Sequence, residues 1–343
     1  MYQKISIRKW ENFFKDRGIS KDIINSYLPY VKLLNQNNAP VIFEFRHLAK
    51  LFGIKEFDLA KMVNSSDSYY RSFFMSKRKG GKRHITAPYP SLLHCQRWIY
   101  NNILLAQTVH NSAHGFIPGR SIILNATNHL STKCLLKMDL KDFFPSITIN
   151  WVINLFSKIG YANNVSYYLA SLCCHEEVLS QGAATSPYLT NILLRSLDDR
   201  LYRLSLSYNL NYSRYADDIF YSGNYIPHKF ISIVTEIIED FGLEVNTDKT
   251  TLHTKPGQRI VTGLSVVGEK LKLPRKTKRE IRKELFFINK YGYLSHVNKK
   301  KIANPFYLDS LKGKLVFWKQ IEPDNQYATK GLNFINQTMM ENQ

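Results

Sequence analysis

The sequence predicts an α+β fold built on a ferredoxin-like (RRM-like) sheet with helices packed on one face. Short apolar strands at 134–140, 210–215 and 219–222 are separated by long stretches of helical period. The resulting order is strand, helix, helix, strand, strand, helix, strand, which suits one sheet covered on one side. The 343 residues are 44% hydrophobic and 13% aromatic, enough to bury a large core in one large unit or two to three smaller ones.

Residues 1 to about 62 are expected to be helical, from the spacing of Trp10, Phe13 and Phe14 and then of Ile23, Ile24, Tyr27 and Leu28. SKRKGGKRHITAPYP (76–90) reads as a hairpin with a Gly80-Gly81 turn between basic arms. A helix follows over about 92–105. The strand CLLKMDL ends in the turn KDFFPS, with one helix running to Gly160 and another over 163–174. In ATSPYLTNILLRSLDDRL, Ser186 is expected to cap a helix with Pro187 at its first position. Leu189, Ile192, Leu193, Leu197 and Leu201 form its apolar stripe. Two strands then flank Asp217 and Asp218. A helix is expected over about 229–241, and LEVNTDKT and RIVTGLSVV read as strands. Residues 275 to about 335 return to helical period as a separate basic unit.

Charge narrows the function classes. Lys plus Arg exceed Asp plus Glu by 47 − 27 = +20, which points to a polyanionic partner, nucleic acid before a membrane surface. Residues 270–301 hold 12 Lys or Arg against Glu280 and Glu284, so half the excess lies there. RSFFMSKRKGGKR (71–83) adds six basic residues and no acid. Tyr and Phe interleave with both clusters, as suits nucleic-acid binding. No apolar run reaches the length of a membrane span, and MYQKISIRKWENFF lacks the apolar core of a signal peptide. Cys95, Cys134, Cys173 and Cys174 make no CxxC pair and read as reduced cytosolic packing residues. His110 and His114 have no acidic or Cys neighbour that would complete a zinc site.

The chemistry centres on SRYADDIFYSG (213–223), where two adjacent carboxylates interrupt a hairpin. Adjacent acids at turns are ordinary, and the pair alone says little. Asp139 ends an apolar strand 78 residues earlier. If the strands are neighbours, three anions converge, which is unfavourable unless cations neutralise them. Oxygen donors of this kind suit magnesium, and a pair of ions can serve phosphoryl transfer.

YADD (215–218), with KMDLKDFFPSI upstream, resembles the palm of reverse transcriptases. GKRHITAP (81–88), HGFIPGRSI (114–122), SQGAATSP (180–187), GLEVNTDKT (242–250) and VTGLSV (261–266) continue the likeness in order, over roughly residues 70–320. NATNH (125–129) resembles the Asn-Ala-x-x-His signature of bacterial retron reverse transcriptases. Val261-Thr262-Gly263 resembles the triplet by which those enzymes recognise their own RNA.

The resemblance implies a right-hand polymerase: an N-terminal extension (1–62), fingers (63–133, with 155–180 contributing), a palm (134–270) and a helical basic thumb with the C-terminal tail (271–343). It implies Asp139, Asp217 and Asp218 as catalytic residues, with Lys249 neutralising or protonating the leaving pyrophosphate. Asp139, Asp217, Asp218 and the Leu140 carbonyl would hold two Mg2+ ions, with Mn2+ as a substitute. Asp217 is expected to bind directly and Asp218 to assist. Lys77, Arg83, Phe144, Gln181 and Gly182 would contact the nucleotide, Phe144 as a gate against a ribose 2′-hydroxyl, with Phe143 in the core. Lys82, Arg78 and Lys79 read as solvated or template-facing. Val261, Thr262, Gly263, Arg275, Lys276, Lys278, Arg279 and Arg282 would bind RNA. Asn125, Ala126 and His129 mark the subfamily without a legible physical role.

The implied activity is RNA-directed synthesis of single-stranded DNA in the bacterial cytoplasm. Deoxynucleoside triphosphates are the substrates and a structured noncoding RNA the template. Its product would be a branched RNA–DNA hybrid, begun from a guanosine 2′-hydroxyl, and an effector protein would join it in defence against phage. Alternatives are a group II intron, diversity-generating or abortive-infection reverse transcriptase, or an inactive RNA-binding scaffold. Intron enzymes usually carry maturase or endonuclease regions, for which little chain remains after about residue 320. Intact Asp139, Asp217, Asp218 and Lys249 argue against a scaffold.

Overall fold

The computed structural model describes residues 4–76, 80–255 and 259–341. Apolar residues at helical spacing fold the N-terminal segment into α1 (Ile7–Asp16), α2 (Lys21–Gln36), α3 (Phe45–Phe52) and α4 (Glu56–Asn64). Their inward faces bury Phe14, Ile24, Val31, Leu34, Leu48 and Leu59.

β1 (Tyr70–Ser76) and β2 (Lys82–Pro88) form a two-stranded antiparallel sheet, with Ser76 opposite Lys82. The hairpin is thus displaced from its expected position: its first arm is YRSFFMS, and the connection is 77–81. The aromatic-rich arm has the better strand propensity, and its buried Tyr70 anchors it by accepting a hydrogen bond from Gln96 Nε2 at 2.8 Å. Lys77, Arg78 and Lys79 lie outside the described residues. Beyond Tyr70 the strand is exposed, including Phe74 and Met75.

α5 (Pro90–Asn102) stops earlier than expected and leads into a 3₁₀ turn at Leu104–Ala106. α6 (Ile122–Thr127) is capped by Ser121, whose hydroxyl accepts from Leu124 N at 3.2 Å. β3 (Cys134–Asp139) is followed by α7 (Ile149–Ile159), α8 (Asn163–Cys173) and a small ladder of β4 (Cys174–His175) with β5 (Val178–Leu179). The expected apolar-stripe helix is two helices, α9 (Ser186–Leu193) and α10 (Arg195–Ser207), joined at Leu194. Ser186 lies inside the helix rather than capping it, since Thr185 at the cap already has helical dihedrals.

β6 (Asn211–Tyr215), β7 (Asp218–Gly223), α11 (His228–Asp240) and β8 (Thr251–His253) complete the central unit. Its sheet has the order β6-β7-β3-β8, antiparallel throughout, which is the ferredoxin-like arrangement. LEVNTDKT is not a strand: it offers one bridge, Leu140 to Val245, then a 3₁₀ turn at Thr247–Lys249. Asn246 and Asp248 disfavour extension, and the Asn246 amide is committed to the Asp139 carbonyl at 2.8 Å. β9 (Ile260–Val261) and β10 (Leu264–Ser265) form a tight hairpin through Thr262 and Gly263, both with positive φ. The chain then runs through α12 (Arg275–Tyr291), α13 (Tyr293–Lys300), α14 (Tyr307–Ile321) and α15 (Gln326–Glu341).

Strand alternation gives the central sheet two different faces. Leu136, Met138, Ile219 and Tyr221 point into the larger core, with Leu201 of α10 and Phe230 and Val234 of α11. Leu135 and Phe220 point the other way, into a second core with Ala126, Val261, Leu264 and residues of α12, α14 and α15. Among the described residues no helix is long and apolar enough to cross a membrane. All four cysteines are free and buried, and burial pushes the Cys95 and Cys173 thiols up to about 12.

Trp318 is the largest fully buried side chain and sits in the second core. Trp318→Ala is expected to cost about 3–5 kcal/mol, measured as a fall in the urea midpoint.

Candidate active site

The hairpin tip is built by strain and by a buried charge. β6 and β7 are joined through Ala216 and Asp217, with Tyr215 opposite Asp218. Ala216 adopts φ 56, a left-handed conformation costing an L-residue roughly 1–2 kcal/mol. Arg214, with no solvent exposure, holds the turn: Nη1 donates to the Ala216 carbonyl at 3.0 Å. The rest of its guanidinium forks onto Asp198 of α10, Nε to Oδ1 at 2.7 Å and Nη2 to Oδ2 at 2.6 Å. The Tyr212 hydroxyl donates to the same carboxylate at 2.6 Å. From the other side, 112–114 lies along β6, and a Cβ at Gly115 would come within 2.6 Å of Ala216 N. Glycine is required there by close approach.

Asp139 and Asp218 face each other across β3 and β7, and Leu140 N donates to the Asp217 carbonyl at 3.0 Å. The three aspartates therefore meet at one end of the sheet. Lys249, carried there by the 3₁₀ turn, places Nζ 2.6 Å from Asp139 Oδ1. Lys137, two residues before Asp139 on the same face, places Nζ 2.7 Å from Asp218 Oδ1. Among the described residues Asp217 makes no ion pair. Burial, then the charges of Asp218 and Asp139, push its carboxyl up to about 6. The hydrogen bond to Asp139 raises the Lys249 pKa.

With Asp139 and Asp218 turned onto lysines, no described group of three or more His, Cys, Asp or Glu is gathered closely enough to hold a metal ion. The donor set nevertheless fits magnesium, which takes one or two carboxylates and completes its shell from phosphates and water. Asp217, raised first by burial and then by the Asp218 and Asp139 charges, is a carboxyl whose ionised form a divalent cation would stabilise.

The other candidates are spread over several elements. Phe144 is half-buried against the larger core, and Phe143 beside it is buried. Gln181 and Gly182 lie against β2, with Thr86 N donating to the Gln181 carbonyl at 3.0 Å. Gly182 has φ 137, and a Cβ there would meet the Thr86 carbonyl at 2.7 Å. Arg83 is exposed further along β2, roughly 10 Å from Thr86 at strand rise. Lys77 falls outside the described residues. Val261 is fully buried in the second core, so its side chain packs; Gly263 is the exposed part of that turn. Thr262 donates to the Ile122 carbonyl at 2.9 Å. On α12, Arg275, Lys276, Arg279 and Arg282 are exposed, with Arg282 lying 4.9 Å from the Tyr327 ring centroid. Lys278 is committed to Glu322 at 2.7 Å and is mostly covered.

Sequence reasoning missed Asp198, Arg214 and Lys137. The available signal at Asp198 was an acid between Leu197 and Leu201 of an apolar stripe; at Arg214 it was a cation in an otherwise buried strand. His129 also gains a place: fully buried, it bonds Ser222 Oγ through Nδ1 and Ser213 Oγ through Nε2, both at 2.7 Å.

Residues 75–282 match the family described as reverse transcriptase (RNA-dependent DNA polymerase). Retron Ec86 reverse transcriptase of Escherichia coli is 34% identical over 277 residues, covering 79% of this chain and 86% of that protein. Retron Ec73 reverse transcriptase of the same organism is 32% identical over 285 residues, covering 77% and 87%. Retron Mx162 reverse transcriptase of Myxococcus xanthus is 37% identical over 229 residues, 58% of this chain and 47% of that longer protein.

Asp198→Ala strands a fully buried guanidinium and is expected to cost about 3–5 kcal/mol, read from urea denaturation. Adding Arg214→Met should recover much of the loss, because neither charge is then left alone.

Proposed function

The chain belongs to the reverse transcriptase family, among its bacterial retron members, and we propose on that premise how it copies part of a structured noncoding RNA into single-stranded DNA. The supporting observation is the meeting of Asp139 with the Asp217-Asp218 turn on neighbouring strands. In this reading the central sheet within 134–270 is the palm. Residues 63–133, with 155–180, are the fingers, 271–343 the thumb and tail, and 1–62 an extension.

Asp139, Asp217, Asp218 and the Leu140 carbonyl would hold two Mg2+ ions, or Mn2+, which supply activation of the attacking hydroxyl and charge neutralisation at the departing oxygen. The chain's own residues do the rest. Lys249 keeps its proton through its contact with Asp139 and, being largely exposed, offers that proton to pyrophosphate. Lys137 holds the Asp218 carboxylate along the sheet face, leaving Asp217 as the direct ligand. Arg83 and Lys77 would grip the triphosphate, and Gln181 and Gly182 would line the nucleotide with backbone that tolerates no side chain at Gly182. The Phe144 ring would exclude a 2′-hydroxyl.

On α12 the outward face carries Lys276, Arg279, Lys283, Phe286 and Lys290 at heptad spacing, which suits a nucleic-acid backbone with an occasional base to stack on. Lys290 lies over both Phe286 and Tyr291. Recognition of the cognate RNA falls to the Thr262-Gly263 turn beside that helix. A branched RNA–DNA product begun from a guanosine 2′-hydroxyl, an effector protein partner and a role in phage defence belong to the same reading and are supported by family membership alone.

Asp217→Asn is expected to abolish primer extension while RNA binding, measured by filter retention, stays within about threefold. Synthesis by that variant at the wild-type rate would overturn the assignment. Phe144→Ala is expected to raise ribonucleotide incorporation by about 10²-fold or more relative to deoxynucleotides, measured in single-nucleotide extension. Unchanged discrimination would remove Phe144 from the gate.

A further inference from the structure

We propose that α6 is a positioning strut that ties the Thr262-Gly263 turn to the catalytic hairpin, with His129 and Thr262 as its two fastenings. The inference rests on the polymerase reading above and deepens it. At one end, Thr262 Oγ1 donates to the Ile122 carbonyl at 2.9 Å, the first residue of α6. In the middle, Ala126 is fully buried in the core shared by Val261, Leu264, Leu135 and Phe220. Two residues beyond the other end, His129 joins β6 to β7 through Ser213 and Ser222 at 2.7 Å each. The Ser131 amide adds a tie to the Gly268 carbonyl at 3.1 Å, beyond β10.

Period-two alternation puts Ser222 on the same sheet face as Phe220 and Asp218. His129 therefore grips the hairpin on the side where the aspartates act, four residues from Asp218. A buried ring that bonds two strands at once fixes their separation and shear more tightly than either ladder bond alone. Burial drives its pKa down to about 3, so the ring is neutral: one nitrogen donates to a serine and the other accepts. Asn128 extends the tie by bonding His114 at 3.1 Å, whose amide donates to the Arg214 carbonyl at 2.8 Å. The route runs from the half-buried Thr262 through the six helical residues of α6 to the fully buried His129. Displacing the turn must shift the hairpin or break one of these bonds.

The distinguishing consequence is that Thr262 matters even where no cognate RNA is present. On poly(rA)·oligo(dT), Thr262→Val should lower kcat by about tenfold with KM for dTTP unchanged within about twofold. Thr262→Ser, which keeps the hydroxyl, should recover most of that loss. His129→Gln should lower kcat similarly, and the Thr262→Val/His129→Gln double variant should be little worse than the worse single one, since both cut the same tie. Wild-type kcat for Thr262→Val on this template, or losses that multiply in the double variant, would sink the strut. If His129→Gln folds poorly, Thr262→Val and its serine rescue still decide the matter, because Thr262 is only half-buried in a surface turn. Asp217→Asn run alongside separates the two levels. An active Asp217→Asn enzyme overturns the polymerase reading itself; an inactive one beside a Thr262→Val enzyme of unchanged kcat overturns the strut alone.

Discussion

A guanidinium sealed from water sets the shape of the hairpin that carries Asp217 and Asp218. Arg214 and Asp198 are both fully buried, and such a pair gains little net stability over apolar residues of the same volume. Its value here is directional. The Arg214 fork is filled on one side by a carboxylate from α10, and its remaining donor reaches the carbonyl of Ala216. That bond holds a left-handed alanine which β-turn energetics would otherwise release. Helix α10, the strand β6 and the turn before Asp217 are thereby fixed as one body, with Gly115 closing the back of the turn.

The two faces of the sheet divide the labour. The face carrying Arg214 packs into the larger core with α10 and α11 and works as a foundation. The opposite face carries Asp139 and Asp218 at one end and Ser213 and Ser222 further back, where α6 and the β9–β10 hairpin cover it. Lys137 and Lys249, with Tyr215 opposite Asp218, share that end with the acids. Lys137 pairs with Asp218 and Lys249 with Asp139, which leaves Asp217 without an ion-pair partner among the described residues.

Much of this was legible in the sequence because it depends on local pattern. Alternating apolar runs around Asp139 and around Asp217-Asp218 marked the strands, and their order marked the sheet. The helical segments at both ends followed from spacing alone. What escaped depended on contacts distant in sequence. Asp198 lies 16 residues from Arg214 and reads as a stray acid in a helix. His129 reads as a motif letter, and only the register of β6 against β7 places two serines within its reach. Charge counting credited Lys278 to an outer surface, whereas Glu322, 44 residues on, claims it. The hairpin near residue 80 was displaced because its glycines were the stronger signal, while the arm that pairs is set by the buried Tyr70 at its far end.

The β1–β2 ribbon has a further consequence, for handling the protein. Two strands make a sheet with little edge pairing, β2 being met at Thr86 by the Gln181 carbonyl, and Phe73, Phe74 and Met75 project from it into solvent. Such a ribbon is a template for edge-to-edge association between molecules, held off chiefly by the like charges of Arg71, Lys82 and Arg83. Those charges are weakened by salt, whose Debye length is about 3 Å at 1 M. Concentrated salt would thus remove the ribbon's electrostatic guard, making colloidal stability, rather than unfolding, the limit on preparing the protein at high ionic strength.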